Sequence, residues 1–310
     1  MTLPSGNCRK SGSYRNRNRI VQRYACDRCG KSFSETQPLD GLRIETKQVE
    51  QVVHLLVEGV GIRAISRLTG LDTKTVMSIL ETAGQKAAAF LDDKVRNLRA
   101  DVIQADEIHS FVFSKEQNTD GRHIYRGEQF AFLAVDRRSK LIVNWFVGKR
   151  TRENAEQFML DLKSRMANRF QLVTDNWKIY SGMNGSVQSV FGREVDYATE
   201  TKFFAKPDTF MPRRLIGLRR HRKIGNPDMM LATTAHAERT NLSVRTFTRR
   251  FTRCTLGFSK KLDNHKLAVA LFVWHFNFCR VHSAHGQTPA QAVGLTEKAW
   301  TINELLESAI

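Results

Sequence analysis

The 310-residue sequence has no uninterrupted apolar stretch of about 18 residues and no apolar signal-peptide core behind its polar, arginine-rich start. We therefore expect neither a membrane-spanning helix nor a secretory leader. Cysteine is also scarce, because there are only five, an odd number unevenly spaced along the chain. This pattern does not suit the disulfide framework of a secreted domain and favours a reducing cytoplasm. The hydrophobic fraction of 41% is enough to form a core, so we expect a globular chain.

Acidic residues are the second shortage. The chain has 31 Asp and Glu against 49 Lys and Arg, which gives a formal net charge of +18 and a pI near 10.0. A charge of this size attracts polyanions over long distances, and each neutralised phosphate releases condensed counterion. A membrane surface would also attract it, but without an apolar anchor we expect nucleic acid as the partner.

Three carboxylates in this basic chain stand in settings that suit metal ligands. Asp106 ends a strand-like run at 101–106, Asp175 ends another at 170–175, and Glu238 lies in a helical run that begins near Ala235. Carboxylate oxygens suit Mg²⁺ or Mn²⁺, and a pair of such ions activates an attacking oxygen and stabilises a leaving oxygen in phosphoryl transfer. We therefore take these three residues as candidate catalytic residues and metal ligands.

Other candidate ligands are less favoured. Strand alternation places Glu107 on the face opposite Asp106, so only one of the two is expected to point at the site. Asp136 lies in a predicted hairpin turn, where aspartate is common for backbone reasons. His236 lies about 200° around the helix from Glu238, so we do not expect it to share a metal with that residue.

The first 40 residues contain an incomplete metal-binding pattern. Cys26 and Cys29 form a C-x₂-C-G knuckle, which lets two thiolates meet one ion. The upstream partner Cys8 is accompanied by Ser5, where a fourth thiolate would be expected. Residues 1–40 are therefore interpreted as a zinc-ribbon-like segment with Zn²⁺ held by Cys8, Cys26 and Cys29, or as a degenerate ribbon or basic arm without metal.

Residues 41–98 show helical periodicity, with three helices expected between about 45 and 81. The turn between the second and third helices contains Gly70, and its spacing is typical of a helix-turn-helix. On that interpretation, the residues that face a DNA groove are Thr73, Lys74, Thr75 and Ser78. A helical linker bundle is the alternative.

Residues 99–285 mix strands and helices. We expect strands at 108–113, 130–135 and 141–147, a helix at 152–166, the strand that ends at Asp175, and a later helix with the third acid. This order predicts an α+β or α/β fold class, with a ribonuclease-H-like catalytic domain built on a mixed sheet. A loop-like basic insertion is expected at about 202–230, and residues 286–310 form a C-terminal appendage.

Two basic segments of this domain are candidate DNA contacts. The insertion contributes Arg213, Arg214, Arg219, Arg220, Arg222 and Lys223. The helix that follows Glu238 is expected to carry a stripe of phosphate-binding donors along one face, because arginine grips phosphate bidentately. Its candidates are Arg239, Asn241, Arg245, Arg249 and Arg250.

Three motifs, at 106–111 (DEIHSF), 174–180 (TDNWKIY) and 236–242 (HAERTNL), resemble the catalytic motifs of transposases of the insertion sequence 1 type. The similarity continues through the basic run at 249–253 and the run at 277–282, and it covers most of the chain. The sequence departs from the motifs of that family at three places. His109 replaces a common tryptophan, His236-Ala237 replaces Tyr-Val, and Val281 replaces a proline.

The resemblance implies a zinc-ribbon and helix-turn-helix front end, followed by a catalytic domain with the acidic triad Asp106, Asp175 and Glu238. It also implies Mg²⁺-dependent cleavage and strand transfer at insertion-sequence ends, a homo-oligomer when active, and a nucleoid-associated location in the prokaryotic cytoplasm. Two alternatives stay open: a domesticated DNA-binding protein or regulator without catalysis, and a ribonuclease-H-like nuclease that does not join strands.

Overall fold

The computed structural model describes residues 8–15, 20–34, 44–119, 121–123, 125–205 and 214–308. It begins with a small antiparallel sheet of three strands, β1 (Cys8–Arg15), β2 (Ile20–Cys26) and β3 (Ser32–Ser34), in that order. Most of its side chains are exposed, and Val21 is its buried apolar residue. So little apolar burial gives this sheet only weak support of its own.

Three helices follow, α1 (Thr46–Val57), α2 (Ile62–Thr69) and α3 (Thr73–Lys94). Gly70 ends α2 in the left-handed conformation, with a φ of 71° that favours glycine. The Asp72 side chain then caps α3 by accepting a hydrogen bond from the backbone N–H of Lys74 at 2.8 Å. The third helix extends past the predicted end near residue 81, because its buried stripe continues through Phe90 and Leu91.

The larger sheet contains six strands. They are β4 (Val102–Val112), β5 (Gly127–Asp136), β6 (Ile142–Gly148), β7 (Gln171–Asp175), β8 (Asp196–Phe204) and β9 (Leu215–Ile224). Their order is β6-β5-β4-β7-β8-β9, in which β4, β7 and β8 are mutually parallel and the remaining pairs are antiparallel. This mixed sheet is compatible with the predicted ribonuclease-H-like fold.

The prediction that Asp106 ends a strand is wrong. β4 is one continuous strand of 11 residues, and Asp106 lies inside it opposite Leu133 of β5. On its other side, β4 pairs in parallel with β7 only as far as Gln104 and Val173. Asp106 therefore lies where β4 runs beyond its paired segment with the short strand β7, which still leaves room for its carboxylate beside Asp175.

The prediction of a loop-like basic insertion at about 202–230 is wrong at 202–204 and 215–224, which lie in strands, whereas 225–230 contains no helix or strand. β8 and β9 form an antiparallel hairpin that is paired from Tyr197 and Ile224 to Phe204 and Leu215, with Lys202 opposite Leu218. The basic run is tolerated in a strand because β9 is the edge of the sheet, where charged side chains reach water. Arg213 lies outside the described residues.

Seven helices accompany the larger sheet. They are α4 (Arg152–Arg165), α5 (Lys178–Ser181), α6 (Ser186–Phe191), α7 (Ala235–Phe247), α8 (Leu262–Phe278), α9 (Pro289–Ala292) and α10 (Ile302–Glu307). Short 3₁₀ turns lie at Glu116–Asn118 and Arg249–Phe251. None of the helices in the described ranges is long and apolar enough to cross a membrane.

The helical segment and the sheet share one hydrophobic core. Helix α3 approaches α8 closely at Gly84, where an added Cβ would lie 2.7 Å from the Leu267 Cβ. The ring of Phe90 from α3 meets both Phe278 at the end of α8 and Trp300 of the C-terminal segment, with centroid distances of 5.0 and 4.9 Å. The contacts between these large rings hold α3, α8 and the C-terminal segment together.

Candidate active site

Two strands and one helix bring four carboxyl groups to the same region, and we call Asp106, Glu107, Asp175 and Glu238 the acidic cluster. The first two lie in β4, Asp175 is the last residue of β7, and Glu238 lies in the first turn of α7. The Asp175 Oδ1 atom accepts a hydrogen bond from the backbone N–H of Trp177 at 3.0 Å, which fixes the turn after β7.

The carboxyl groups of this cluster influence one another. Burial, and next the charge of Asp175, raises the pKa of Asp106 to about 7, and the charge of Glu238 acts in the same direction. Burial and the charge of Asp175 likewise raise the pKa of Glu107 to about 8. Asp106 is thus within electrostatic range of both other predicted catalytic acids. Glu107, which was not expected at the site, also belongs to it.

Two side-chain cations neutralise part of this charge. The Arg150 Nη2 atom lies 2.9 Å from Glu107 Oε2 and 3.3 Å from Asp175 Oδ2, and its guanidinium stacks 4.2 Å from the Trp177 ring centroid. The Lys202 ammonium contacts Glu238 Oε1. Within the described part of the chain, no three Asp, Glu, His or Cys side chains are grouped closely enough to hold a metal ion. Convergence of the predicted triad on one ion therefore stays a prediction.

The first turn of α7 is attached to the sheet by two buried polar side chains. Gln104 Oε1 of β4 accepts hydrogen bonds from the backbone N–H groups of His236 and Ala237, at 2.8 and 3.2 Å. Glu200 Oε2 of β8 accepts from the backbone N–H and the hydroxyl of Thr234, at 3.1 and 3.2 Å. The Thr234 hydroxyl is also 2.9 Å from Glu238 Oε1, so these contacts determine where Glu238 lies.

Neither Gln104 nor Glu200 was singled out from the sequence. The available signal was a polar residue inside an otherwise apolar strand, since both side chains are almost fully buried. A buried amide or carboxylate must find hydrogen-bond partners, and here the partners are the free N–H groups at the start of a helix.

The predicted stripe of donors on α7 is only partly present. Asn241 directs its Nδ2 donor to Asp106 Oδ2 at 2.9 Å, so its amide belongs to the acidic cluster instead of facing phosphate. Arg245 lies near enough for the charge of Asp106 to act on its pKa, which burial lowers overall. Arg239 is exposed.

The prediction that the stripe continues to Arg249 and Arg250 is wrong, because α7 ends at Phe247 and Arg249 lies in the following 3₁₀ turn. Arg250 in the same turn donates to the Ser259 hydroxyl at 2.8 Å, and burial lowers the pKa of its guanidinium to about 10. The chain direction changes after residue 247, so the spacing of 3.6 residues per turn no longer places these arginines beside Glu238.

The other predicted DNA contacts lie in two places. At the start of α3, Thr73 and Lys74 are exposed while Thr75 and Ser78 are partly buried. On and beside β9, four basic side chains are exposed: Arg214, Arg219, Arg222 and Lys223. Arg220 instead directs its Nε to Glu200 at 3.3 Å, the carboxylate that also holds the first turn of α7.

The small N-terminal sheet brings the predicted zinc ligands together. Cys8 is the cross-strand partner of Cys26, and all three thiols are free. The backbone N–H groups of Cys29 and Arg28 lower the pKa of the Cys26 thiol, which favours the thiolate form that binds metal. Ser5, the residue at the position of a fourth ligand, lies outside the described residues.

The acidic cluster suits Mg²⁺ by the chemistry of its donors. Burial and the neighbouring charges of Asp175 and Glu238 disfavour the charged form of Asp106, and a divalent cation beside these carboxylates would favour it. The residues that would hold it are Asp106, Asp175 and Glu238. Glu107 lies near Asp175, with which it shares the Arg150 guanidinium.

The comparisons with known proteins do not assign this chain to a family. No protein-family model matches the chain, and no curated protein matches its sequence. Among solved structures, the chain is similar to one from the cryo-EM structure of the simian T-cell lymphotropic virus intasome in complex with PP2A regulatory subunit B56 gamma. That match has a TM-score of 0.39 and 16% identity over 76% of this chain and 70% of the other. Neither the activity nor the fold follows from a similarity at this level.

Proposed function

We propose that this chain is a DNA transposase, similar to the insertion sequence 1 type, that cuts DNA at the ends of a mobile element and joins them to target DNA. The observation that carries the proposal is the acidic cluster within a chain of formal charge +18. Carboxylates at a DNA-binding surface repel the phosphates, so their presence there requires a functional reason. Catalysis of phosphoryl transfer provides that reason.

Bound Mg²⁺ or Mn²⁺ would activate the attacking oxygen and stabilise the leaving oxygen. The protein's own contribution is to hold the acids at fixed positions. Gln104 and Glu200 fix the first turn of α7 and thereby Glu238, while Asn241 orients Asp106. Arg245, whose pKa is influenced by the charge of Asp106, would bind a DNA phosphate near the site.

DNA would be held by two surfaces in addition to the site. The exposed start of α3, with Lys74, would lie in a groove of the element's end as the recognition helix of a helix-turn-helix. The basic edge strand β9 would follow the phosphate backbone. In the N-terminal sheet, Cys8, Cys26 and Cys29 would hold Zn²⁺ with a further ligand, and the active form would be a homo-oligomer on paired DNA ends.

The test combines a gel-shift titration with a cleavage and joining assay in Mg²⁺, on DNA that carries the element's own ends. We expect Glu238→Gln to abolish cleavage and leave end binding unchanged or slightly tighter, because the substitution removes a negative charge near phosphate. The matched control is Glu194→Gln, since this side chain is 70% exposed and pairs with Lys163 away from the cluster. It should cleave normally.

Each alternative gives a different result. Cleavage that survives Glu238→Gln would contradict the proposed site. A wild-type protein that binds ends without cutting them would be a regulator, and one that cuts without joining would be a nuclease of related fold.

A further inference from the structure

The outer part of the β8–β9 hairpin exposes a set of large apolar side chains that the proposed function does not use. We call this set the hairpin tip, and each of its side chains is between 42% and 60% exposed. Its members are Phe203, Phe204, Leu215, Ile216 and Leu218. Exposed apolar groups gathered at one place usually mark a binding surface, because water contact is unfavourable for them.

The register of the hairpin directs part of this surface toward the acidic cluster. Leu218 is the cross-strand partner of Lys202, and cross-strand partners project from the same face. The register shifts between Phe203 and Phe204, where β9 contributes the extra residue Ile216. Because β8 itself has no inserted residue there, alternation places Phe204, two residues after Lys202, on that face as well. Because the Lys202 ammonium contacts Glu238, Phe204 and Leu218 lie beyond the cluster on the same side of the sheet.

The charge of the same hairpin favours DNA over protein as the occupant. β9 carries the basic run 219–223, and the Arg219 guanidinium lies 5.6 Å from the centroid of the Phe203 ring. A second copy pairing through this edge strand would bring two such runs together, and like charges opposite one another are destabilising. Phosphates would neutralise the run, and the apolar groups beside it would then meet the bases.

Apolar side chains gain most from the flat faces of bases, and paired, stacked bases hide those faces. Aromatic rings stack on unpaired bases of any sequence, and aliphatic wedges insert between base steps that have opened. We propose that the hairpin tip binds unpaired or unstacked bases of DNA beside the acidic cluster. This inference rests on the proposed function, because it assumes that DNA lies across that face of the sheet.

Fluorescence anisotropy with two labelled DNAs tests the inference. One is a fully paired duplex, and the other is the same duplex with a central run of unpaired thymines. We expect wild-type protein to prefer the second by about tenfold, a ratio within the range of base stacking on aromatic side chains. The double variant Phe204→Ala/Leu218→Ala should bind both DNAs equally, with its affinity for the paired duplex unchanged.

Two further variants separate loss of contact from loss of structure. Phe204→Trp keeps a stacking surface and should keep the preference. Leu160→Ala removes an apolar side chain of similar exposure, 51%, from α4 and should behave as wild type. Circular dichroism and thermal denaturation check that every variant is folded.

Equal affinity of wild-type protein for the two DNAs would overturn the inference and leave the proposed function standing. So would a preference that persists in the double variant, or a double variant that loses only self-association in sedimentation. If wild-type protein bound neither DNA, both the inference and the proposed function would fail.

Discussion

Helices α7 and α8 follow each other in the chain and are held in place by different forces. Most residues of α8 are buried, and its face includes Trp274 and Phe278. Few residues of α7 are buried, and its first turn is attached through hydrogen bonds to Gln104 and Glu200. Hydrophobic burial is strong and non-directional, whereas hydrogen bonds are weaker and fix position precisely.

This difference suggests a division of labour. α8 supplies stability, and α7 supplies the geometry of the acidic cluster. Substitutions on α8 should therefore change the free energy of unfolding with little effect on cleavage per folded molecule. Substitutions around α7 should change cleavage by more than their effect on stability explains.

The largest effect on stability is expected from Trp274→Ala. Trp274 is fully buried in α8, and removing such a ring leaves a cavity that costs about 3–5 kcal/mol. Denaturant titration measures the loss, and cleavage is compared at a temperature where both proteins are folded. Leu256→Ala, at a side chain that is 93% exposed, is the control and should change stability by less than about 0.5 kcal/mol. A loss in the Trp274 variant no larger than in the control would contradict the role given to α8.

The next largest effect is on stability at low pH and concerns His265, a buried polar residue near the start of α8. Its ring lies 2.9 Å from the Ser110 hydroxyl and 2.8 Å from the Ser259 hydroxyl, and burial lowers its pKa to about 3 from the ordinary 6.5. Because the folded-state pKa lies below the unfolded one, the neutral ring contributes its full stability above pH 6.5 and loses it as pH falls toward 3. One such group costs about 2 kcal/mol by about pH 5.

Stability measured against pH tests this expectation. Between about pH 6.5 and 5, the free energy of unfolding of His265→Gln should fall less steeply with pH than that of wild type. The difference in slope should be roughly that of one bound proton. His54→Gln, at an exposed histidine of α1, should leave the slope as in wild type. An unchanged slope in the His265 variant would assign the acid sensitivity to other histidines whose pKa is lowered by burial, such as His275 or His282.

The contrast between α8, held by hydrophobic burial, and α7, held by hydrogen bonds, also explains what the sequence could predict. The local residue pattern located β5, β6, β7 and α4, and short motifs pointed to the three acids, because both signals are local. The attachments of α7 are not local, since Gln104 and the backbone of His236 are 132 residues apart. A polar residue in a strand does not reveal its partner, so Gln104 and Glu200 were missed. Arg150 was not considered, and Glu107 was ranked below Asp106. The edge strand β9 was taken for a loop because its charge outweighed its strand pattern.

Gln104→Leu should separate geometry from stability. It removes the acceptor of two backbone N–H groups at the start of α7, and buried donors left without partners cost about 1–3 kcal/mol. We expect cleavage to fall at least tenfold even where the variant is fully folded, because Glu238 loses its fixed position. DNA binding should not change.

The matched control is Asn144→Leu. Asn144 is equally buried, and its amide donates to the Phe158 carbonyl at 2.8 Å on the opposite side of the sheet. It should cost similar stability and leave cleavage per folded molecule intact. Equal losses of cleavage in the two variants would mean that Gln104 has no special part in placing α7.

The smallest effect on stability is expected at Asn241, whose amide donates to Asp106. Asn241→Ala should cost about 0.5–1.5 kcal/mol, the net value of one hydrogen bond. Asn241→Asp should cost more, because it adds a further negative charge to carboxylates that already repel each other. Mg²⁺ between them would relieve that repulsion, so the melting temperature of the Asp variant should rise more with Mg²⁺ than that of wild type. Asn303→Asp adds the same charge on α10, away from the cluster, and should show the wild-type response. If Mg²⁺ stabilised the two Asp variants equally, the acidic cluster would not be where the metal binds.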